Sequence, residues 1–282
     1  MFARMRWLLR LLSLPIITCL FGSCAAKNHL AAKPLLQFGE ARSASLPNRF
    51  ELLNWNVYKG RRPNFSREFQ RLATAAEIIT LQEASTCCSA EMQNIQKVLP
   101  PGRLLQMVGV LQYADGQAGV ATVSTARTQR VFSVPSPDGE PLVNLRKSSI
   151  ITTYGLAGSS RSLMVANTHG LNLPGKLWFG QASFERQIRD VAEMLARHDG
   201  PIMWAGDFNT HDAGKTVALK ALTDRLGLVR VPVRHAERLM HSKVAALEID
   251  HVYVRGLKAS AEAVEHHDSS DHAPILVWLS LP

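Results

Sequence analysis

Short apolar segments recur from Phe50 to the C-terminus, four to eight residues long, a length that suits strands and not buried helices. They fall at Phe50–Asn56, Ile78–Gln82, Leu104–Leu111, Gly119–Ser124, Ser148–Tyr154, Ser162–Thr168, Ile202–Ala205, Ile249–Val254 and Pro274–Leu279, and many carry β-branched or aromatic residues. Helical periodicity is confined to three segments. Phe65–Ala76 begins after Asn64, Gln181–Arg197 sets Phe184, Ile188, Val191 and Leu195 on one stripe, and Lys215–Leu226 stops at Gly227. Many strands with few crossover helices predict an α+β fold, two sheets packed face to face and covered by helices.

The chain has 282 residues, 46% of them apolar, enough for a sizeable core, and no Ser/Gly/Pro-rich tract in mid-chain marks a second domain. Its start is different. Met1–Arg10 is basic, Leu11–Phe21 is apolar and too short to span a bilayer comfortably, and Gly22-Ser23-Cys24 follows with small side chains. This is the layout of an export signal, ending either in cleavage after Ala25 or Ala26 or in lipidation at Cys24; the alternative is an uncleaved N-terminal anchor. The expected organisation is a leader over 1–23, a flexible linker over 24–48 and one domain over 49–282, exported to the periplasm or anchored to a bacterial membrane through the N-terminus alone, as a monomer.

Only Cys87 and Cys88 lie beyond the leader region, and neighbours close no useful loop, so a disulfide framework is excluded. The pair lacks the two-residue spacer of dithiol redox motifs and reads as two thiols. Lys and Arg number 32 against 23 Asp and Glu, a formal charge of +9 that favours anionic partners.

Acids, amides and histidines fall at the ends of six predicted strands: Asn54-Trp55-Asn56, Gln82-Glu83, Asn167-Thr168-His169, Asp207-Phe208-Asn209, Asp250-His251 and, just before the last strand, Asp271-His272. Each alone is an ordinary cap or turn former; together, in order, they suit phosphoester hydrolysis. Glu83, Asp271 and Asn56 are hard oxygen donors of the kind that hold magnesium, with manganese as an alternative. Zinc would call for His and Cys clusters, and no such spacing is present. His272 with Asp250 forms a candidate pair for orienting the attacking water, Asp207 and Asn209 for holding water and phosphate, and His169 for donating to a developing oxyanion.

The ordered segments WNVYKG (55–60), LQE (81–83), GVATVS (119–124), NTH (167–169), AGDFNT (205–210), IDHVYV (249–254) and SSDHAPI (269–275) resemble the endonuclease/exonuclease/phosphatase superfamily, and within it the bacterial YafD-like branch. The resemblance runs from about Phe50 to Leu281. It implies a four-layer, deoxyribonuclease-like α/β sandwich of two mainly antiparallel sheets flanked by helices. It also implies metal-binding roles for Glu83, Asp271 and Asn56, and catalytic roles for His169, Asp207, Asn209, Asp250 and His272. Two positions depart from relatives: Gln117 stands where many nucleases of the family carry Tyr or His, and Leu247 where abasic-site enzymes place a Trp.

Lys59, Arg61 and Arg62 follow the Asn56 loop, and Arg225, Arg230, Arg234, His235, Arg238 and Lys243 gather between the GDFN and IDH segments. Both stretches read either as tracks for a polyphosphate backbone, with Lys59, Arg61 and Asn167 in contact with substrate, or as a solvated basic surface. Trp178-Phe179 reads either as an apolar tip for stacking on a base or touching lipid or as a core contact. The expected activity is therefore a divalent-metal-dependent phosphodiesterase, a nuclease of low sequence specificity. The alternatives are a phospholipid or sphingolipid phosphodiesterase, a small-molecule phosphatase, or, in another class, a non-catalytic binding module.

Overall fold

The computed structural model describes residues 35–88, 91–140, 145–172, 178–239 and 248–282. The predicted export segment and Cys24 lie outside them, as do Lys243 and Leu247. Among the described residues, no helix is long and apolar enough to cross a membrane.

Each of the nine predicted strands is present. In chain order the strands are β1 (Leu35–Phe38), β2 (Arg49–Asn56), β3 (Ile78–Ser85), β4 (Leu104–Tyr113), β5 (Gly116–Ser124), β6 (Thr128–Glu140), β7 (Leu145–Gly155), β8 (Ser162–His169), β9 (Ile202–Asp207), β10 (Val229–Arg230), β11 (Val233–Arg234), β12 (Asp250–Arg255), β13 (Lys258–Ala263) and β14 (Ile275–Ser280). The helices are α1 (Phe65–Ala73), α2 (Ile95–Val98), α3 (Trp178–Leu195) and α4 (Ala213–Arg225). One sheet has the order β1-β4-β5-β3-β2-β14-β13-β11 and the other β10-β12-β9-β8-β7-β6. Most neighbours run antiparallel; β2–β3, β8–β9 and β11–β13 are parallel.

The inner faces of the two sheets meet in a core that includes Leu52, Ile78, Val165, Met203, Val252, Ile275 and Val277. Outside the larger sheet, Phe65, Phe69 and Leu72 of α1 cover Trp55, Ile79 and Leu81. Outside the smaller sheet, Phe184, Ile188, Val191 and Leu195 of α3 bury the stripe read from the sequence against Ile151, Ala166 and Trp204. Helix, sheet, sheet and helix stack as four layers, each apolar face closed by its neighbour.

The predicted linker ends earlier than expected. Residues 35–38 pair with β4 as an edge strand, and Leu46 is fully buried in the inter-sheet core, so the chain joins the fold well before Asn48. A four-residue strand alternating exposed and half-buried carries too little apolar pattern to be seen locally. Strand β6 was hidden by Pro135, Pro137 and Gly139; it is the edge of the smaller sheet, where a missing N–H costs nothing. Strand β13, KASAEA, has little strand propensity of its own and is held by β14 and β11.

Candidate functional site

Strand direction gathers the polar residues at one end of the molecule. Strands β2, β8 and β9 finish there with Asn56, His169 and Asp207, β3 carries Glu83 two residues before its end, and the antiparallel β12 and β14 begin there, with Asp250 at the first residue and His272 just before. Asp207 pairs in register with both Asp250 and His169. The close approach needs Gly206, at φ 153°, where a Cβ would lie 1.9 Å from the Thr168 carbonyl oxygen.

His272 Nδ1 donates to Asp250 Oδ2 at 2.9 Å, and its Nε2 lies 3.8 Å from Asp207 Oδ2. Burial disfavours charge on this imidazole, but the carboxylates of Asp250 and Asp207 outweigh it and push the group up to about 10. Asp207 is raised as well, above an ordinary carboxylate: burial lifts it to about 6, with His272 opposing and Asp250 adding. Asn56 Nδ2 donates to Asp207 Oδ2 at 3.0 Å, and the Asn209 backbone N–H donates to Oδ1 at 3.0 Å. Asn209, in the left-handed region at φ 52°, donates from Nδ2 to the Gly170 carbonyl at 3.0 Å, which ties the loop after β9 to the loop after β8. His169 Nε2 lies 3.6 Å from Asp207 Oδ2, and its imidazole is held well below the usual range by burial and by Lys147.

Glu83 reaches the cleft through a β-bulge. Leu81 pairs with Ala121 and Ala84 with Gly119, so Gln82 and Glu83 together oppose one residue of β5, and Glu83 takes φ 53°. Burial alone would raise its carboxyl, but Lys59, His169 and Lys147 hold it down at about 2, and Lys59 Nζ forms an ion pair with it. Lys59 is delivered by a tight turn in which Tyr58, Lys59 and Gly60 all have positive φ. Asp271 is exposed, next to Ser270, whose hydroxyl donates to the Asn56 carbonyl at 2.6 Å.

Asn56, Glu83 and Asp271 thus sit on three neighbouring strands of the larger sheet, β2, β3 and the approach to β14. Their side chains offer the hard oxygen donors that a divalent cation prefers, although Glu83 is ion-paired with Lys59 here. A second group, Asp207, Asp250 and His272, has ligand atoms within 4.8 Å of one another. There His272 Nδ1 is taken by Asp250, and the imidazole, pushed up to about 10, keeps its second proton at neutral pH and so has no lone pair for a cation.

Three expectations are corrected. Asn167 is not a substrate contact: it is fully buried between the sheets, accepting from Gln82 Nε2 at 2.7 Å and donating to the carbonyls of Leu81 at 3.1 Å and Ala121 at 2.9 Å. The second basic stretch is not a bare patch, because Arg230 pairs with Glu248, Arg234 with Glu262 and Arg238 with Glu265. Trp178 and Phe179 are the first residues of α3 rather than a loop tip. Arg61 is exposed, and with Lys59 and Arg62 it packs around the Tyr58 ring at 5.7–5.8 Å.

Two lysines had no motif to announce them. Lys147, the third residue of β7, is brought to the cleft because β7 runs antiparallel to β8; its Nζ lies 3.3 Å from His169 Nε2 and 3.6 Å from Glu140. Lys215 is fully buried on α4 and donates to the carbonyls of Leu171 at 2.8 Å and Asn209 at 3.1 Å. Its signal was a lysine in the first turn of a helix directly after the GDFN loop.

Two packed sheets with acids, amides and histidines converging at their shared end define a hydrolase sandwich. The chain belongs to the Endonuclease/Exonuclease/phosphatase family, whose model matches residues 53–272, and it is thereby a hydrolase of phosphoester substrates. A UPF0294 protein of Vibrio vulnificus is 31% identical over 237 residues, covering 83% of this chain and 78% of the relative, which places the chain with the YafD-like branch. Among solved structures, an endonuclease/exonuclease/phosphatase of Beutenbergia cavernae superposes with TM-score 0.64 at 16% identity, over 83% of this chain and 72% of that one. Sphingomyelinase C of Streptomyces griseocarneus superposes with TM-score 0.60 at 16% identity, over 82% and 99%, a likeness of fold.

Proposed function

We propose that this protein is a divalent-metal-dependent phosphodiesterase that cleaves nucleic acid with low sequence specificity, exported from the cytoplasm by its basic and apolar N-terminal segment. The observation that carries the chemistry is the buried set in which His272 is held by Asp250 at 2.9 Å and faces Asp207 at 3.8 Å.

The electrostatics reverse two roles expected from the residues alone. An imidazole pushed up to about 10 is an imidazolium at neutral pH and acts as an acid, whereas a carboxyl raised to about 6 is suited to be the base. Asp207 takes the proton of the attacking water as its oxygen bonds to phosphorus, and Asn56 and the Asn209 N–H orient that carboxylate. His272 gives its Nε2 proton to the leaving oxygen as the P–O bond breaks, and Asp250 stabilises the imidazolium beforehand. Glu83, Asn56 and Asp271 would hold the cation, which when bound polarises a phosphate oxygen.

Substrate class rests on charge. Formal charge is +9, and around Tyr58 the exposed Arg61 stands with Lys59, paired to Glu83, and Arg62, 3.4 Å from Asp268, so that among the described residues Arg61 is the group of this rim outside an ion pair and the one to meet a phosphate chain. The test is hydrolysis of plasmid DNA, RNA, sphingomyelin and an aryl phosphodiester, with magnesium or EDTA, by wild type and His272→Ala. Metal-dependent nicking of DNA that the variant lacks supports the reading; cleavage of sphingomyelin with inert nucleic acid overturns the substrate and keeps the chemistry.

A further inference from the structure

The expectation that His169 donates to a phosphate oxygen conflicts with its neighbour. An ammonium carries only donors, so Lys147 Nζ, 3.3 Å from His169 Nε2, makes that nitrogen the acceptor and leaves the ring hydrogen on Nδ1. In that tautomer Nε2 has no proton to give, and Asp207 Oδ2, at 3.6 Å from it, stands beyond hydrogen-bond reach. Lys147 has three N–H groups; among the described residues one points to His169, and Glu140 stands at 3.6 Å, beyond a good hydrogen bond. Lys147 as a residue is only 8% exposed, and its charge is felt at Glu83 and His169 alike.

We propose that Lys147 is a catalytic residue whose ammonium contacts a non-bridging oxygen of the scissile phosphate, with His169 as its acceptor and guide. This rests on the phosphodiesterase reading above and names a group that the strand-end motifs do not contain. A lysine tethered by a neutral imidazole and a loose carboxylate is a fixed cation with donor capacity left over. Charge on the non-bridging oxygens grows as the attacking oxygen bonds to phosphorus, so the contact strengthens toward the transition state. Strand β7 fixes the height of Lys147 through its register with β8, and Glu140, at the end of β6, keeps the chain from swinging out.

The experiment compares wild type, Lys147→Met and Lys147→Arg on an aryl phosphodiester, alongside binding of inorganic phosphate to the EDTA-treated proteins by calorimetry. Lys147→Met is expected to lose about 10²–10³ in kcat with the melting temperature nearly unchanged, as for removal of one oxyanion donor. Lys147→Arg is expected to recover much of that loss, which a purely structural role would not predict, and phosphate binding should weaken about tenfold in Lys147→Met. An active wild type whose Lys147→Met variant keeps kcat within about threefold overturns the proposal. If wild type hydrolyses no phosphoester, the parent reading fails instead; loss of phosphate binding in Lys147→Met then still supports the contact, and unchanged binding overturns it.

Discussion

Replacing Asn167 by alanine separates a structural role from a substrate-binding one. The amide joins three partners across the inter-sheet layer: Gln82 Nε2 at 2.7 Å, the Leu81 carbonyl at 3.1 Å and the Ala121 carbonyl at 2.9 Å. At a net value of about 1 kcal/mol for each buried hydrogen bond, Asn167→Ala is expected to cost about 3 kcal/mol. It also strips the stronger of two acceptors from Gln82 Nε2, which keeps only Asn54 Oδ1 at 3.1 Å. For a domain of this size each kcal/mol lowers Tm by roughly 2–4 °C, so a fall of about 6–12 °C is expected. The assay is calorimetric unfolding of wild type and variant, paired with KM for an aryl phosphodiester below both transitions. A Tm within about 2 °C of wild type together with a tenfold rise in KM would refute the reasoning, because a residue that touches substrate loses binding without loosening the sheets.

Other outcomes follow from the site. His272→Ala and Asp250→Asn should each lower kcat by about 10²–10⁴ in steady-state kinetics while circular dichroism stays native. Lys215→Met frees the carbonyls of Leu171 and Asn209, so kcat should fall about tenfold or more with KM little changed, read from full Michaelis curves. His251 is held down to about 3 by burial and then by Arg230, below its ordinary range. A base whose folded value is depressed binds its proton more readily when unfolded, so its neutral burial supports stability fully above about pH 6.5 and fails as pH falls toward 3. Urea midpoints between pH 7 and 4 should therefore drop less in His251→Gln than in wild type. EDTA should abolish hydrolysis, and magnesium restore it, in wild type but not in Glu83→Gln.

Strand spacing, the helical stripe of α3 and the order of strand-end acids, amides and histidines were legible because each is a local pattern. Alternation marks strands, a 3.6-residue period marks a helix, and a turn after a strand has to carry polar groups. Their convergence in a cleft was implied by the family resemblance rather than by the local pattern, since nothing along the chain sets which strands run parallel. What a side chain meets across the sheets was not legible. Asn167 and His169 are two residues apart in one motif, yet the first closes the inter-sheet layer and the second opens on the cleft. Glu83 faces outward only because a bulge against β5 turns it, a property of pairing with residues over thirty positions away. Lys147 lies in an unremarkable strand sequence, and the direction of β7 alone delivers it to His169. The basic residues after α4 read as a charged patch until folding set Glu248, Glu262 and Glu265 beside them. Periodicity along the chain thus determined which residues share a face and which end of a strand they occupy. Only the packing of two sheets decided what stands opposite, and the pKa, hydrogen-bonding role and chemistry of each group depend on that opposite partner.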